Sequence, residues 1–457
     1  MKVFAEMNLV SPFESMMVRR NNLLYRLSSS HYSSIISHRR FYTPPIKFYD
    51  NSHILRYSEM ELAPFSLRQL IFFGKILSSH GSNPKEIEKT LIQGANFVQS
   101  QLPTRIARRI RDFQQLPFVV ASNIHLMETY NLYVEAFEKI RSFPKVTNRD
   151  RNQEWCRFLG DLLKEHRVVI PQLAIGIAET ADHLTNHQIE KFMTIMFHSR
   201  ICRRVLAEHH IALTSQFDHQ KTRYKSEENL GVIETRLEVG KVLERCIELV
   251  KSNIQSQSDG TGYEFIGVEI GGARDTKFAY IPDHLEYIFF EVLLNSFRAA
   301  IDYSSRNLPT LSNFKIKIHI ASSPSHVTVR ISDNAGGVTQ SWSPLYADEE
   351  GLPPSVSRRD IFSFFHLAER KERIRGLTQV GGLEGKVREH VRVDQNSSLT
   401  HEAEEIQEAR LRIGLPLSSI YAQFLGGSLE MFSIKGYSDV VLSIPKLGTI
   451  TEPKPMN

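Results

Sequence analysis

Apolar residues from about Phe65 to Phe217 recur at intervals of three and four positions, the spacing of one face of an α-helix. The series from Ile189 to Met196 is one example. Prolines divide this half into lengths that suit helices, at Pro103, Pro117, Pro144 and Pro171. The pattern therefore predicts a bundle of four long helices.

A polar stretch at residues 218–230 ends this pattern and predicts a boundary to a second domain. Beyond it, the helical period is mixed with the period of two that marks strands. Helices are predicted at Val242–Val250 and Asp283–Tyr303, and strands at Tyr263–Ile270 and Lys277–Ile281. The second half is therefore predicted to be a mixed α/β unit.

Alternating apolar and polar residues lie on both sides of Pro324, at Phe314–Ile320 and Val327–Ile331, which predicts a β-hairpin. Residues 339–408 are polar and charged apart from one amphipathic patch at Ile361–Leu367. They are predicted to form a mobile lid or a disordered segment. The fold class expected for the chain is α+β, with an N-terminal four-helix bundle followed by an α/β sandwich.

Composition supports a folded protein of more than one domain. Hydrophobic residues make up 41% of the 457 positions and charged residues 23%, which excludes wholesale disorder. No apolar run approaches the roughly 18 residues that span a bilayer, so no transmembrane segment is expected. The three cysteines lack the spacing of a zinc site or a disulfide framework, which predicts buried free thiols.

Much of the net charge of +5 lies in the first 42 residues, which hold six basic and two acidic side chains. The rest of the chain carries +1, too little for a nucleic-acid-binding surface. From Met16 to Tyr42 the chain is rich in Arg and Ser and contains no acid, which is typical of a mitochondrial transit peptide. We expect that peptide to occupy residues 1–45, a disordered basic tail being the alternative.

Glu291 and Asn295 lie four residues apart, so they project from one face of the predicted helix. A carboxamide oxygen is a suitable ligand for Mg²⁺, and a carboxylate one turn away can accept a hydroxyl proton. Taken alone, this spacing is far more often a solvated helix face.

Two further segments suit a nucleotide. Asp333 follows a predicted strand and precedes small residues as far as Gly337, so it can accept an adenine amino group where the backbone approaches the ligand closely. Gly414 and Pro416 begin an apolar helix, whose N-terminal amides suit phosphate oxygens. An ordinary turn and an ordinary helix start are the competing interpretations.

Taken in order, these segments resemble the GHKL ATPases and kinases, whose ATP-binding domain is a Bergerat-type α/β sandwich. More narrowly, residues 55–447 resemble the mitochondrial pyruvate dehydrogenase kinases and branched-chain 2-oxo-acid dehydrogenase kinases. The similar segments are PFSLRQL at 64–70, QLPTRIA at 101–107, HRVVIP at 166–171, SRICRR at 199–204, LGGSL at 425–429 and GYSDV at 436–440.

The resemblance implies an ATP- and Mg²⁺-dependent protein-serine kinase of the mitochondrial matrix. Glu291 would be the general base toward a substrate serine, Asn295 would ligate Mg²⁺ and Asp333 would recognise adenine. Arg298 would counter phosphate charge. The remaining residues expected at the nucleotide are Gly337, Arg412, Ile413, Gly414 and Leu415.

The resemblance also implies partners and a domain plan. The bundle at 55–225 would dock an E2 lipoyl domain, the ATP-binding domain would span 230–447 with a lid at 339–410, and a tail would follow at 448–457. The substrate serine is expected on the E1α subunit of pyruvate dehydrogenase, with the branched-chain dehydrogenase as the alternative. A homodimer, or a heterodimer with a related kinase, is implied.

The chain departs from the family pattern at the site. Tyr287 stands where the family often has a histidine one turn before the glutamate, and His284 lies a further turn back. Ala335 replaces a glycine, and Arg410 and Arg412 lie where the lid usually ends in glycines. A scaffold that binds the dehydrogenase complex without turnover is therefore the alternative to an enzyme.

The pair His209-His210 could suggest the phosphorylated histidine of two-component kinases. Histidines with satisfied contacts between helices are the expected interpretation.

Overall fold

A computed structural model describes most of the chain, namely residues 51–63, 65–79, 83–217, 229–255, 266–307, 314–337, 361–369, 413–434, 436–447 and 449–450. The transit-peptide prediction at 1–45 lies outside the described residues, as do most of the predicted boundary at 218–230 and most of the predicted lid.

The described part as far as residue 217 is almost entirely helical, which confirms the helical pattern. Its helices are α1 (Asn51–Glu59), α2 (Leu67–Ser79), α3 (Pro84–Gln114), α4 (Phe118–Ala121), α5 (Ile124–Ser142), α6 (Arg149–Glu165), α7 (Val169–Thr180) and α8 (Asn186–Gln216). The four longest are α3, α5, α6 and α8.

Polar side chains fix where these helices begin. Asn83 caps α3 by accepting the N–H of Lys85, and Pro84 follows at the first helical position. Thr185 and Gln188 form a reciprocal capping box at the start of α8. The helices then pack through aromatic rings: Phe113 of α3 lies edge-on to rings of α5 and α8. These contacts join three helices in one core.

The prediction that Pro103 ends a helix is wrong, because it lies inside α3. An interior proline removes one backbone hydrogen bond and disfavours the turn before it. Here the neighbouring side chains Leu102 and Ile106 are 3% and 2% exposed. Burial on both sides of the proline stabilises the helical turn through packing that the local sequence does not reveal.

The remainder is mixed, so the α+β expectation holds at that level. Its helices are α9 (Val239–Gln255), α10 (Pro282–Asn307), α11 (His366–Glu369) and α12 (Gly414–Phe424). Its longer strands are β3 (Ile233–Glu238), β4 (Gly267–Gly272), β5 (Lys277–Tyr280), β6 (Lys315–Ser322), β7 (His326–Gly336), β8 (Ser428–Ile434) and β9 (Gly436–Pro445). Three short strands complete the set, β1 (Phe65–Ser66), β2 (Asn229–Leu230) and β10 (Thr449–Ile450).

The main sheet has the order β4-β6-β7-β9-β8. β4 runs parallel to β6, whereas the other neighbours are antiparallel, so the predicted hairpin is confirmed as β6 and β7. Their register pairs Ile318 with Ile331 and Ile320 with Val329, which places the apolar side chains on one buried face. Helix α10 packs on this sheet.

A three-stranded sheet forms from β2, β3 and β5, and β1 pairs with β10. The second pairing joins Phe65 to Ile450, so the end of the described chain lies beside the start of α2.

The amphipathic patch is the part of the predicted lid that the structure describes, at residues 361–369, and the lid as a whole stays a prediction. Phe364 and Leu367 are fully buried. The Phe364 ring lies 5.4 Å from that of Phe197 on α8, and α11 contacts α7. This patch therefore packs on the helical part of the protein.

Candidate functional site

Helix α10 positions the first two predicted site residues. Its apolar side chains Ile288, Val292 and Leu293 are buried. Glu291 is half-buried and Asn295 is exposed, one turn further along. The Asn295 Nδ2 donates a 2.7 Å hydrogen bond to the carbonyl oxygen of Glu291. Both side chains therefore share one stretch of helix surface.

Asp333 is joined to the same helix through a residue that the sequence interpretation missed. The Ser296 hydroxyl donates a 3.1 Å hydrogen bond to Asp333 Oδ2, and the Ala335 N–H donates to Oδ1 at 3.2 Å. Burial raises the pKa of Asp333, although both hydrogen bonds oppose that shift. Ser296 follows Asn295 directly, but nothing in the sequence shows that it faces a residue 37 positions later.

The strand that carries Asp333 is longer than predicted. β7 continues to Gly336, five residues beyond the predicted end at Ile331. Pairing with β9 is irregular between Asp333 and Gly336. The backbone changes course there because Gly336 and Gly337 have φ angles of 88° and 73°, which side chains with a Cβ rarely adopt.

Close backbone packing explains why residue 337 is a glycine. A Cβ at this position would overlap the carbonyl oxygen of Ile434 and lie 3.1 Å from that of Tyr437. The end of β8 and the start of β9 therefore pack directly on the backbone of Gly337. Its role at a nucleotide stays a prediction.

Gly414 opens helix α12 against Glu291. A Cβ on Gly414 would overlap the Glu291 carboxylate, so the missing side chain makes room for that group. Ile413 is fully buried, and its carbonyl oxygen accepts the N–H of Leu417 at 2.9 Å. The first turn of a helix presents unpaired amides and partial positive charge, which favour a carboxylate or a phosphate nearby.

The other predicted residues are distributed as follows. Arg298 is half-buried on α10, one turn past Asn295, and Leu415 is half-buried in the first turn of α12. Arg412 lies outside the described residues. Two segments far apart in sequence thus meet the same helix, because Asp333 and Gly414 both lie against residues of α10.

The side chain of Asn295 fits a role toward Mg²⁺. Its amide nitrogen is engaged with the Glu291 carbonyl, so its Oδ1 is the atom that could meet a cation. Across the described ranges, no group of three or more His, Cys, Asp and Glu side chains could hold a metal ion. Mg²⁺ needs only one or two protein ligands when it keeps waters and phosphate oxygens.

Aromatic rings surround the turn that precedes Glu291. The Tyr287 ring lies 4.9 Å from the ring of Tyr421 on α12, and His284 lies 4.7 Å from the same ring. His284 is buried, and burial followed by the charge of Arg204 lowers its pKa to about 3. This imidazole is therefore neutral in the physiological range of pH.

Two further expectations are met in part. His209 and His210 are both buried, and His210 Nε2 lies 2.9 Å from Asn152 Oδ1 on α6, which confirms a satisfied contact between helices for His210. Within the described residues, the Nε2 of His209 has no hydrogen-bond partner. All cysteines are free, with Cys202 and Cys246 buried and Cys156 half-buried. In the part of the chain that the structure describes, no helix has the length and hydropathy needed to cross a membrane.

Comparison with known proteins places this site in a family context. The family described as mitochondrial branched-chain alpha-ketoacid dehydrogenase kinase matches residues 64–234. The chain is 25% identical over 403 residues to a mitochondrial [pyruvate dehydrogenase (acetyl-transferring)] kinase of Arabidopsis thaliana, which covers 87% of this chain and 94% of the relative.

Two other similar proteins bear the same type of name. [Pyruvate dehydrogenase (acetyl-transferring)] kinase 2, mitochondrial, of Saccharomyces cerevisiae is 26% identical over 442 residues, 89% of this chain and 87% of the relative. Isozyme 4 of Homo sapiens is 24% identical over 411 residues, 87% of this chain and 84% of the relative. The similarity therefore extends across both the helical part and the part that holds the site.

Proposed function

We propose that this chain, which belongs to the family of mitochondrial pyruvate dehydrogenase and branched-chain 2-oxo-acid dehydrogenase kinases, is an ATP-dependent protein-serine kinase of pyruvate dehydrogenase. The observation that carries the proposal is the meeting of Glu291 with the first turn of α12, on the helix that also holds Asp333 through Ser296. A base, a phosphate-binding helix start and a buried acid then lie around one helix.

Each residue has a separate task in this proposal. Asp333 accepts the adenine amino group, and Asn295 provides an oxygen to Mg²⁺. The first turn of α12, from Gly414 to Leu415, faces the phosphates together with Arg298. Mg²⁺, when bound, neutralises phosphate charge, and the Glu291 carboxylate accepts the proton of the serine hydroxyl. Transfer then depends on positioning and electrostatics.

The substrate serine is proposed to lie on the E1α subunit, where its phosphorylation would inhibit the pyruvate dehydrogenase complex. The names of the full-length relatives support pyruvate dehydrogenase as the target. One observation favours the branched-chain complex instead, since the family that matches residues 64–234 carries that name. Both complexes therefore belong in the test.

The remaining expectations join the proposal. The α3, α5, α6 and α8 helices would form a four-helix bundle at 55–225 that docks an E2 lipoyl domain. Residues 230–447 would be a GHKL-type ATP-binding domain. Residues 1–45 would be a transit peptide that directs the chain to the mitochondrial matrix. A dimer, with itself or a related kinase, would be the working assembly.

The decisive experiment incubates the purified chain with radiolabelled ATP, Mg²⁺ and each dehydrogenase complex, and then maps the phosphoserine. Glu291→Gln is expected to lower transfer at least about 100-fold while ATP binding changes little. Glu286→Gln is the matched control on the same helix. Its carboxylate pairs with Arg245 and has no part in the proposed chemistry, so its activity should match the unchanged chain.

Three outcomes are informative. Transfer to a serine of pyruvate dehydrogenase supports the proposal, and transfer to the branched-chain complex alone moves the target. Nucleotide binding without transfer to either complex would overturn the proposed kinase activity. It would support the alternative, a scaffold that binds the dehydrogenase complex without turnover.

A further inference from the structure

Four rings form a cluster between α10 and α12, at the end of the helix pair opposite Gly414. Tyr421 lies in the middle, with ring centres 4.7 Å from His284 and 4.9 Å from Tyr287. Phe424 packs edge-on against His284 at 5.5 Å. This aromatic cluster (His284, Tyr287, Tyr421 and Phe424) therefore joins the two helices through side chains alone.

The aromatic cluster and the contact between Glu291 and Gly414 lie on the same two helices. Tyr287 is one turn before Glu291 on α10, and Tyr421 is two turns after Gly414 on α12. Glu291 meets Gly414 at one end of the pair, and His284 meets Phe424 at the other. A shift of α12 along α10 would thus change both contacts together.

A third helix holds the cluster in place. His198 of α8 lies 5.5 Å from the Phe424 ring. Helix α12, which carries both Tyr421 and Phe424, packs on α8. α8 therefore contacts the cluster through Phe424, beside the half-buried ring of Tyr421.

We propose that Tyr421 is a positioning residue for Glu291, and this inference rests on the proposed kinase function. The Tyr421 ring acts through Tyr287 and sets the distance between the Glu291 carboxylate and the first turn of α12. Neither ring contacts the reacting atoms. The base is held by packing of rings one turn away, because closely packed aromatic rings have preferred geometries and tolerate little displacement.

The first test separates ring packing from the hydroxyl group. Tyr421→Leu removes the ring and is expected to lower kcat for phosphoryl transfer about 10- to 100-fold, since misplacing a reacting group by about 1 Å costs that order of rate. KM for ATP should change less than about threefold. Tyr421→Phe keeps the ring and should retain kcat within about threefold.

A matched control removes a ring of similar packing elsewhere. Phe158 of α6 stacks on Trp155 at 5.4 Å, in a cluster of the helical part. Phe158→Leu is expected to leave kcat unchanged. A general loss of stability would instead lower activity in both leucine variants. If Tyr421→Leu does not fold, Tyr287→Leu serves as the second variant, because it breaks the same ring contact from the α10 side.

The second test asks whether Tyr421 acts through Glu291. In the Glu291→Gln background, adding Tyr421→Leu should lower the single-turnover rate by less than about threefold, because the misplaced base is already absent. An undiminished loss in that background would overturn the positioning role, as would a normal kcat for Tyr421→Leu alone. If Glu291→Gln itself keeps full activity, the proposed function fails instead, and the two failures are distinguishable.

Discussion

The backbone N–H of Phe364 donates a 2.8 Å hydrogen bond to the carboxylate of Glu190, 174 positions earlier in the chain. Burial raises the pKa of Glu190, while this bond and one with Thr194 oppose the shift. The contact ties residues 361–369, in the middle of the predicted lid, to helix α8. The described stretch 361–369 is thus attached to the helical part.

The first prediction concerns this contact between residues 361–369 and helix α8. Phe364→Ala should lower the free energy of unfolding by about 3–5 kcal/mol, because it removes a fully buried ring and leaves a cavity beside Phe197. Urea unfolding measures the change. Phe365→Ala, at the half-buried neighbouring position, should cost distinctly less. Equal losses of unfolding free energy for the two variants would show that the Phe364 ring does not contribute more packing than the Phe365 ring.

The second prediction uses the space at Gly414. Gly414→Ala should move the Glu291 carboxylate, because the new Cβ overlaps the end of a flexible side chain. We expect phosphoryl transfer to fall about 10- to 100-fold, with the free energy of unfolding changed by no more than about 1 kcal/mol.

Gly160→Ala is the matched control for that change. It lies inside α6 with open space at its Cβ, so it should raise stability by about 1 kcal/mol and leave transfer unchanged. Full activity of Gly414→Ala would contradict the proposed placement of the base.

The third prediction separates stability from binding at Asp333. Because its pKa is raised in the folded protein, the folded state holds the proton more tightly than the unfolded chain. The contribution of Asp333 to the free energy of unfolding therefore falls as pH rises from the ordinary aspartate pKa through the raised pKa of the folded state. Asp333→Asn should remove that loss and keep or raise the melting temperature at pH 7.

The same variant should bind ATP at least about tenfold more weakly, because the carboxamide no longer offers a charged acceptor to the adenine amino group. Isothermal titration measures the binding. Unchanged affinity would contradict the role of Asp333. A marked loss of stability at pH 7 would show that its two hydrogen bonds outweigh its burial.

The fourth prediction concerns acid. Burial lowers the pKa of His210 to about 4 from 6.5, so the unfolded chain takes up a proton first. Its contribution to stability is complete above pH 6.5 and is lost as pH falls toward 4. This amounts to on the order of 3 kcal/mol.

His210→Gln keeps a donor for Asn152 and should reduce the acid sensitivity of unfolding by that amount. Denaturant titrations at several pH values between 4 and 7 measure it. The exposed His187→Gln is the control and should change nothing. The same acid sensitivity in the unchanged chain and in His210→Gln would show that another group controls it.

Much of the fold was readable from the sequence because it depends on local periodicity. The helix around Glu291 and the hairpin of β6 and β7 follow from spacings within a few residues of each other. The pairing of Ile318 with Ile331 follows from the same alternation, since a shift by one residue would expose both apolar faces. These elements need no knowledge of distant parts of the chain.

The candidate site was predicted residue by residue, but its connections were not. The sequence identified Glu291, Asp333 and Gly414 by residue type and order. Only the tertiary structure joined Ser296 to Asp333 and brought the Glu291 carboxylate against Gly414. Distances between segments depend on how helices pack on a sheet, and local spacing carries no information on that packing.

The sequence by itself determined the helical first half, the hairpin of β6 and β7, the acid and amide on one helix face, and the resemblance to a kinase family. The tertiary structure decided that α3 continues through Pro103 and that Phe364 anchors on α8. Both depend on burial against distant side chains, which changes the free energy of a local conformation by more than its intrinsic preference does.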